Sequence, residues 1–288
     1  MARLPADRVT GFARRTGRAL LAIPSLLAMA LPAWAEVPYD WQLGMQPSVT
    51  TVRDHIDGLN NELLVIITVI AVFVLALLLY VMIRFNARRH PVPSRTTHNT
   101  LLELVWTMVP VLILVIIAVP SFKLLYFMSD TPHAHMTVKI TGHQWYWSYE
   151  YPDQGDFNFD SNILSDAQDR EKGEPRLLGV NNVMVVPVGK VVRVLVTSTD
   201  VIHSWFVPSV GVQEYAVPGR VNEAWFKIER PGVYYGQCNQ ICGINHPFMP
   251  IEIHAVSAED FAKWTADAKK KYSSNDGGAL RFAADASR

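Results

Sequence analysis

The chain has 288 residues, half of them apolar, and equal numbers of acidic and basic side chains give it a formal net charge of zero. This balance gives no indication of nucleic-acid binding, so any charged partner must be recognised by a local patch. The only two cysteines lie four residues apart, which favours metal or redox chemistry over a disulfide framework. The apolar residues are concentrated in three stretches, which is typical of a membrane protein with a water-soluble part.

The first stretch has the order of a secretory signal. Five arginines precede an apolar run from Ala19 to Leu31, and Ala33-Trp34-Ala35 supplies the small residues that signal peptidase requires. The apolar run is short for crossing roughly 30 Å of hydrocarbon. We therefore predict a signal peptide over 1–35 rather than a first membrane helix.

Two longer apolar stretches predict a transmembrane hairpin. The segments 62–84 and 103–127 each supply the roughly 20 apolar residues that a spanning helix needs. The loop between them, 85–102, is short and rich in arginine, which indicates the cytoplasmic side of the membrane. The N-terminal segment 36–61 and everything after the second helix are then periplasmic.

From 135 to 256 the pattern changes to short strands that are rich in β-branched residues and separated by turn signals. No helix-length periodic run interrupts them, which favours a sandwich or a small barrel. Ser257, followed by Asp260, predicts a helix cap. We therefore predict a C-terminal helix and a mobile tail over 257–288.

The most specific signal is a loop that combines thiol, imidazole and thioether groups, which are ligands that suit copper. Cys238, Cys242, His246 and Met249 lie within twelve residues, and His203 lies upstream. One cysteine, two histidines and a methionine would form a mononuclear blue-copper site. The second thiolate has no role there and can bridge a second copper ion. Zinc also accepts two cysteines and two histidines, but Met249 favours copper.

Four long motifs carry a resemblance to a known family: Gly142–Tyr151, Asp200–Trp205, Ala216–Arg220 and Tyr234–Pro250. Through them the chain resembles subunit II of cytochrome c oxidase, the bacterial members most closely, from Leu63 to Val256. The resemblance implies a two-helix anchor that carries a cupredoxin-like Greek-key β-barrel with two copper ions in a dinuclear CuA centre. The implied metal ligands are His203, Cys238, Cys242, His246 and Met249, with the backbone carbonyl of Gln240.

The chain departs from the family pattern at Gln240, where the family usually has glutamate. The copper ligand at this position is the carbonyl group, so we expect the copper site to be retained. In the family the glutamate side chain also reaches a magnesium ion at the interface with subunit I. An amide oxygen can ligate magnesium but brings no charge, so a magnesium site at Gln240 is left open.

An aromatic run next to the first motif alternates in the way a strand requires. Trp145, Trp147, Tyr149 and Tyr151 are predicted to share one face, where they could also simply form core. The resemblance implies that Trp145 is the exposed ring through which cytochrome c passes its electron. Nearby acids would steer a basic cytochrome c in a salt-dependent way. The predicted docking residues are Glu150, Asp153, Asp156, Asp160 and Asp200.

Glu103 lies at the cytoplasmic start of the second predicted helix. An ionisable residue at a membrane edge can extend to water without any further role. The resemblance implies instead that Glu103 stands at the entry of a proton path into subunit I.

These features predict an electron-entry subunit in the bacterial inner (plasma) membrane, with its copper domain on the periplasmic side. Electrons from reduced cytochrome c would reach the haem of subunit I, where oxygen is reduced to water with proton translocation. The resemblance implies that the haems lie in subunit I, and without a Cys-x-x-Cys-His motif no haem c is attached to this chain. The expected partners are subunit I, other oxidase subunits, cytochrome c and the lipid bilayer, with no nucleic acid. The alternative is a membrane-tethered copper-delivery protein, which would need an open, exchangeable site.

Overall fold

The computed structural model describes residues 35–272. The predicted signal peptide, apart from its last residue, and the predicted tail from residue 273 onward lie outside the described residues.

Two long helices form a hairpin. They are α1 (Thr51–Arg84) and α2 (Thr100–Ser129), and both are long and apolar enough to cross a membrane. The side chains of Thr50 and Asn99 cap the two helices by accepting hydrogen bonds from backbone N–H groups. Because of its cap, α1 begins well before Leu63, where the apolar stretch starts, and its first turn lies outside that stretch.

The chain beyond α2 forms two sheets. In spatial order, one sheet contains β4 (Phe157–Ser161), β3 (Tyr146–Tyr151), β2 (Met136–His143), β6 (Val192–Ser198) and β9 (Asn222–Phe226). The other contains β5 (Met184–Pro187), β11 (Pro250–Val256), β10 (Gly232–Cys238), β7 (His203–Val207) and β8 (Val212–Ala216), with β1 (Ala35–Glu36) also beside β10. The helix α3 (Asp166–Lys172) lies between β4 and β5, and α4 (Ala258–Tyr272) follows β11.

The core lies between the two sheets. Alternate residues are buried along β2, β3 and β6, as expected for strands that turn one face to a core. Trp205 of one sheet donates from its indole N–H to the Tyr149 hydroxyl of the other at 3.4 Å. Burying such a large side chain contributes about 1.5–3 kcal/mol. The predicted combination of a two-helix anchor and an all-β Greek-key domain is confirmed.

Both helices are attached to the sandwich. At the start of α1, the hydroxyl of Thr50 donates to the Val210 carbonyl at 2.7 Å, and Val52 and Arg53 are buried. At the end of α2, the ring of Phe127 packs edge-on against Trp225 of β9, with centroids 5.5 Å apart. The hairpin therefore holds the sandwich at two separate points.

Two strand-level predictions are wrong. Trp145 does not lie on β3, because His143 and Tyr146 form the last pair between β2 and β3 and the chain reverses over the two residues between them. The predicted alternation holds only for Trp147, Tyr149 and Tyr151, which are all buried. A helix also interrupts the strands: α3 forms because Ser165 and Gln168 make a capping box at its start.

Candidate metal centre

Three adjacent strands bring the predicted metal ligands together. β10 lies between β7 and β11, and Cys238 at its end is paired with Trp205 of β7. His203 begins β7, and the loop from β10 to β11 folds over that end of the sheet. The backbone N–H of Asn239 donates to the Ser204 carbonyl at 3.1 Å, which fixes the start of this loop beside His203.

The two cysteines are the centre of the group. Both are buried and free, and their Sγ atoms are 3.8 Å apart, far beyond the roughly 2.05 Å of a disulfide. The Sγ atom of Cys238 is 4.0 Å from Nδ1 of His203 and 3.3 Å from the carbonyl oxygen of Gln240. The two Sγ atoms and a ring nitrogen of His203 lie within 4.8 Å of one another.

The remaining two donors approach the second sulfur. The Sγ atom of Cys242 is 3.5 Å from Nδ1 of His246 and 3.6 Å from Sδ of Met249. His246 is half-buried, whereas Met249 is buried. All of the predicted donor atoms thus converge on the pair of sulfurs.

The spacing of the sulfurs fits a shared metal. A metal–thiolate bond of about 2.3 Å, as found for zinc, lets one ion join two sulfurs up to about 4.6 Å apart. The observed 3.8 Å lies within that limit. Soft sulfur ligands with imidazole and a thioether are the combination that copper favours. The donor set therefore fits copper.

Protonation in the metal-free protein is unequal between the two thiols. Burial raises the pKa of Cys238, but hydrogen bonds with His203 and with backbone groups of Ser204 and Gln240 outweigh it, so the net shift is downward. Burial and the adjacent Cys238 thiolate both raise the pKa of Cys242. A metal that binds both thiolates must therefore displace a proton, chiefly from Cys242.

A carboxylate orients the first histidine. Oδ1 of Asp200 is 2.8 Å from Nε2 of the fully buried His203, which leaves Nδ1 directed at Cys238. Burial alone would lower the pKa of His203, but its hydrogen bonds with Cys238 and Asp200 raise it. Burial alone would raise the pKa of Asp200, but hydrogen bonds from His203 and from the N–H groups of Val201 and Gln144 lower it.

The turn between β2 and β3 rests on the ligand loop. The side chains of Gln144 and Trp145 both donate to the Cys242 carbonyl, at 2.8 Å and 3.2 Å. The backbone N–H of Gln144 also donates to Asp200 at 2.7 Å. Sequence reasoning missed Gln144, because a polar residue inside an aromatic motif carries no signal of its own. Asp200 was predicted as a docking residue, although its spacing of three residues from His203 is itself a signal for an orienting carboxylate.

Two glycines allow these close approaches. A Cβ atom on Gly142 would lie 3.0 Å from the His203 ring. Gly243 adopts a φ of +124°, and a Cβ there would lie 2.9 Å from the Trp145 ring. Trp145 itself is half-buried against this loop.

The five predicted docking acids fall into two groups. Burial lowers the pKa of His143, which lies next to the turn that carries Trp145, and the charges of Asp160 and Asp200 partly oppose this shift. Asp153 accepts a hydrogen bond from the N–H of Thr137 at the other end of the hairpin, and Glu150 pairs with Lys139. Asp156 follows in the turn before β4. Since five residue steps along β3 cover about 16 Å, Asp153 and Asp156 are remote from Trp145.

Glu103 is half-buried in the first turn of α2. It lies 26 residues before the end of that helix, which corresponds to about 39 Å along the axis. Glu103 is therefore at the opposite end of the hairpin from the metal centre.

The comparisons with known proteins match both parts of the chain. Residues 38–124 match the family described as "Cytochrome C oxidase subunit II, transmembrane domain", and residues 136–256 match "Cytochrome C oxidase subunit II, periplasmic domain". The chain belongs to the cytochrome c oxidase subunit II family. The family resemblance of the four sequence motifs is thereby confirmed, and this subunit II is a membrane protein.

Individual relatives cover most of this subunit II. "Probable cytochrome c oxidase subunit 2" of Rickettsia bellii (strain RML369-C) is 49% identical over 237 residues, 82% of this chain and 88% of the relative. "Cytochrome c oxidase subunit 2" of Cereibacter sphaeroides is 44% identical over 243 residues, 78% of this chain and 80% of the relative. Among solved structures, the periplasmic domain of subunit II of cytochrome oxidase from Bradyrhizobium japonicum is 54% identical, covers 50% of this chain and 99% of its own, and has a TM-score of 0.47.

Proposed function

We propose that this subunit II accepts electrons from cytochrome c at a dinuclear copper centre and passes them to the haem of subunit I, where oxygen is reduced to water. The observation that carries the proposal is the pair of buried, unbonded sulfurs 3.8 Å apart, each approached by an imidazole. A mononuclear blue-copper site uses a single thiolate and leaves the second thiol without a role. A site for two metal ions would use both cysteines as donors.

The chain supplies a complete set of donors. The copper ions would be held by the side chains of His203, Cys238, Cys242, His246 and Met249 and by the carbonyl of Gln240. When bound, they supply one-electron redox chemistry. The β-sheet and the hydrogen bonds of Cys242 and Asn239 fix these donors in advance, so little rearrangement accompanies a change of charge.

Trp145 is the proposed point of electron entry. Its ring packs over the ligand loop, and its N–H reaches the carbonyl of Cys242, whose sulfur is one of the shared donors. The ring is only half-buried, so a partner protein can reach its outer edge.

The charges around Trp145 favour a basic partner. Asp160 is exposed, and Asp200 retains part of its surface while it orients His203. We propose these two acids as the docking residues next to Trp145, while Glu150, Asp153 and Asp156 act at longer range. The cytochrome c would bind on the periplasmic side, because the arginine-rich loop between the helices is cytoplasmic.

The remaining proposals depend on subunit I. Glu103 lies at the cytoplasmic end of α2, where it can receive protons for a path in the partner. A magnesium ion at the interface would receive from Gln240 only a neutral amide oxygen, so its other ligands would come from subunit I.

The test is a copper count and an electron paramagnetic resonance spectrum of the oxidised, copper-loaded protein. Two copper ions per chain and a seven-line hyperfine pattern are expected, because one unpaired electron is shared by both nuclei. Cys238→Ser is the informative variant, and Ser204→Ala, beside the centre but without a donor role, is its control. One copper and a four-line pattern in the unmodified protein would refute the dinuclear centre and favour a mononuclear site or a copper-delivery function.

A further inference from the structure

A cavity of about 320 Å³ lies between the two membrane helices, on the side of the hairpin nearest the sandwich. We call it the interfacial cleft. α1 contributes Asp54, His55 and Glu62 to its walls, and α2 contributes Pro120, Lys123 and Phe127. The metal centre uses none of these residues.

The interfacial cleft lies at the depth of lipid headgroups. Glu62 immediately precedes the apolar run that starts at Leu63, and Asp54 lies about 12 Å further out along α1. On α2, Lys123 lies six residues before the helix ends at Ser129. A bilayer with about 30 Å of hydrocarbon has a headgroup layer of about 5–8 Å on each side. The cleft spans this layer.

The charges in the cleft are of both signs and are not paired with each other. Among residues 35–272, the side chains of Asp54, Glu62 and Lys123 form no hydrogen bond or ion pair. Leaving charges unpaired next to hydrocarbon costs free energy. Two carboxylates and one ammonium group are complementary to a ligand that carries both an anion and a cation with N–H donors.

We propose that the interfacial cleft binds the headgroup of a zwitterionic phospholipid with a primary amine, of the phosphatidylethanolamine class. Lys123 pairs with the phosphate, and the carboxylates of Asp54 and Glu62 accept hydrogen bonds from the ammonium group. Leu59, Leu124 and Pro120 line the cleft with apolar surface for the glycerol and upper acyl chains. Phosphatidylglycerol lacks the ammonium group, and the quaternary ammonium of phosphatidylcholine has no N–H to donate.

The test is native mass spectrometry of the full chain in detergent, titrated separately with phosphatidylethanolamine, phosphatidylglycerol and phosphatidylcholine. We expect phosphatidylethanolamine to bind at a concentration about tenfold lower than the other two lipids, as the loss of one charge-assisted contact predicts. Lys123→Met is expected to weaken this binding about tenfold, and Glu62→Gln to abolish the preference over phosphatidylglycerol. Lys190→Met, in an exposed turn of the sandwich, is the matched control and should change nothing.

Four results would overturn the proposal. One is equal binding of the three lipids, and another is unchanged binding by Lys123→Met. The third is loss of the lipid when the chain is assembled with its partner subunits, which would show that a protein surface fills the cleft. Soluble phosphoethanolamine is included as a competitor, and displacement at equal concentration would indicate a water-soluble ligand instead of a lipid. Copper-free protein should give the same results, so the outcome is independent of the metal centre.

Discussion

Asp200 offers a direct test of how the centre is held together. Its carboxylate accepts from the imidazole of fully buried His203 and from the N–H groups of Val201 and Gln144. It also accepts from the Ser198 hydroxyl, which keeps the Val201 carbonyl as a partner when the carboxylate is removed. In Asp200→Ala, water can replace the carboxylate at Val201 and Gln144, which are exposed residues, but not at His203. Leaving one buried donor unsatisfied costs about 1–3 kcal/mol. We therefore expect the metal-free protein to lose about 2 kcal/mol of stability, or about 4–8 °C in Tm.

The assay is denaturant unfolding of the copper-free protein, with Asp160→Ala as the matched control. Asp160 is also an acid beside the turn, but it is exposed, and among the described residues its carboxylate accepts a hydrogen bond only from the Ser148 hydroxyl. Its loss should therefore change the free energy of unfolding by no more than about 0.5 kcal/mol. If Asp200→Ala were no more destabilising than Asp160→Ala, the carboxylate would not be an anchor of His203, and the argument would fail.

The interaction between Asp200 and His203 also predicts that the stability of the protein depends on pH. The pKa of Asp200 is lowered on folding, so its contribution is present above its unfolded value of about 3.9 and is lost as the pH falls through the folded pKa. The pKa of His203 is raised, so its contribution is present below its unfolded value of about 6.5 and is lost as the pH rises through the folded pKa. The difference in the free energy of unfolding between the unmodified protein and Asp200→Ala should therefore be largest between about pH 4 and pH 6.5. A difference that grew steadily above that window would contradict the assignment.

The other predictions concern the neighbours and the protons of the centre. Gly142→Ala should weaken copper binding, because the new Cβ would lie 3.0 Å from the His203 ring. Copper retention against a chelator measures this effect, and unchanged retention would contradict the contact. Gln240→Ala should keep both copper ions, because the donor is the backbone carbonyl; a lost copper ion in elemental analysis would show that the side chain matters. Copper binding should release protons and weaken as the pH falls, because the pKa of Cys242 is raised; pH-stat titration tests this, and pH-independent binding would refute it.

The anchor and the all-β domain could be predicted from the sequence, and the donors could be proposed from it, because each has a local signature. An apolar stretch reports a spanning helix directly, and the loop from Cys238 to Met249 contains most of the ligand set. His203 was proposed as a donor from its motif. The distances that join it to the loop depend on the pairing of β7 with β10, which is a long-range contact.

The contacts around the donors could not be predicted in the same way. Trp145 was placed on a strand because period-two alternation continues through the turn, and only the pairing of His143 with Tyr146 shows where the strand begins. Asp200 was grouped with the surface acids because a sequence does not show which side of a charged residue is buried. Gln144 bridges Asp200 and the Cys242 carbonyl, and such a contact between separate loops leaves no sequence pattern.

The two attachment points of the hairpin restrict how the sandwich can move. A domain joined by one flexible strand can swivel and travel, as a protein that carries metal from one partner to another requires. Here Thr50 and Arg53 hold one corner and the contact between Phe127 and Trp225 holds another, so rotation about either point strains the other. The position of the candidate metal donors relative to the two helices is therefore fixed. Electron tunnelling slows steeply with distance, so a domain held in a fixed position suits electron transfer to a fixed acceptor.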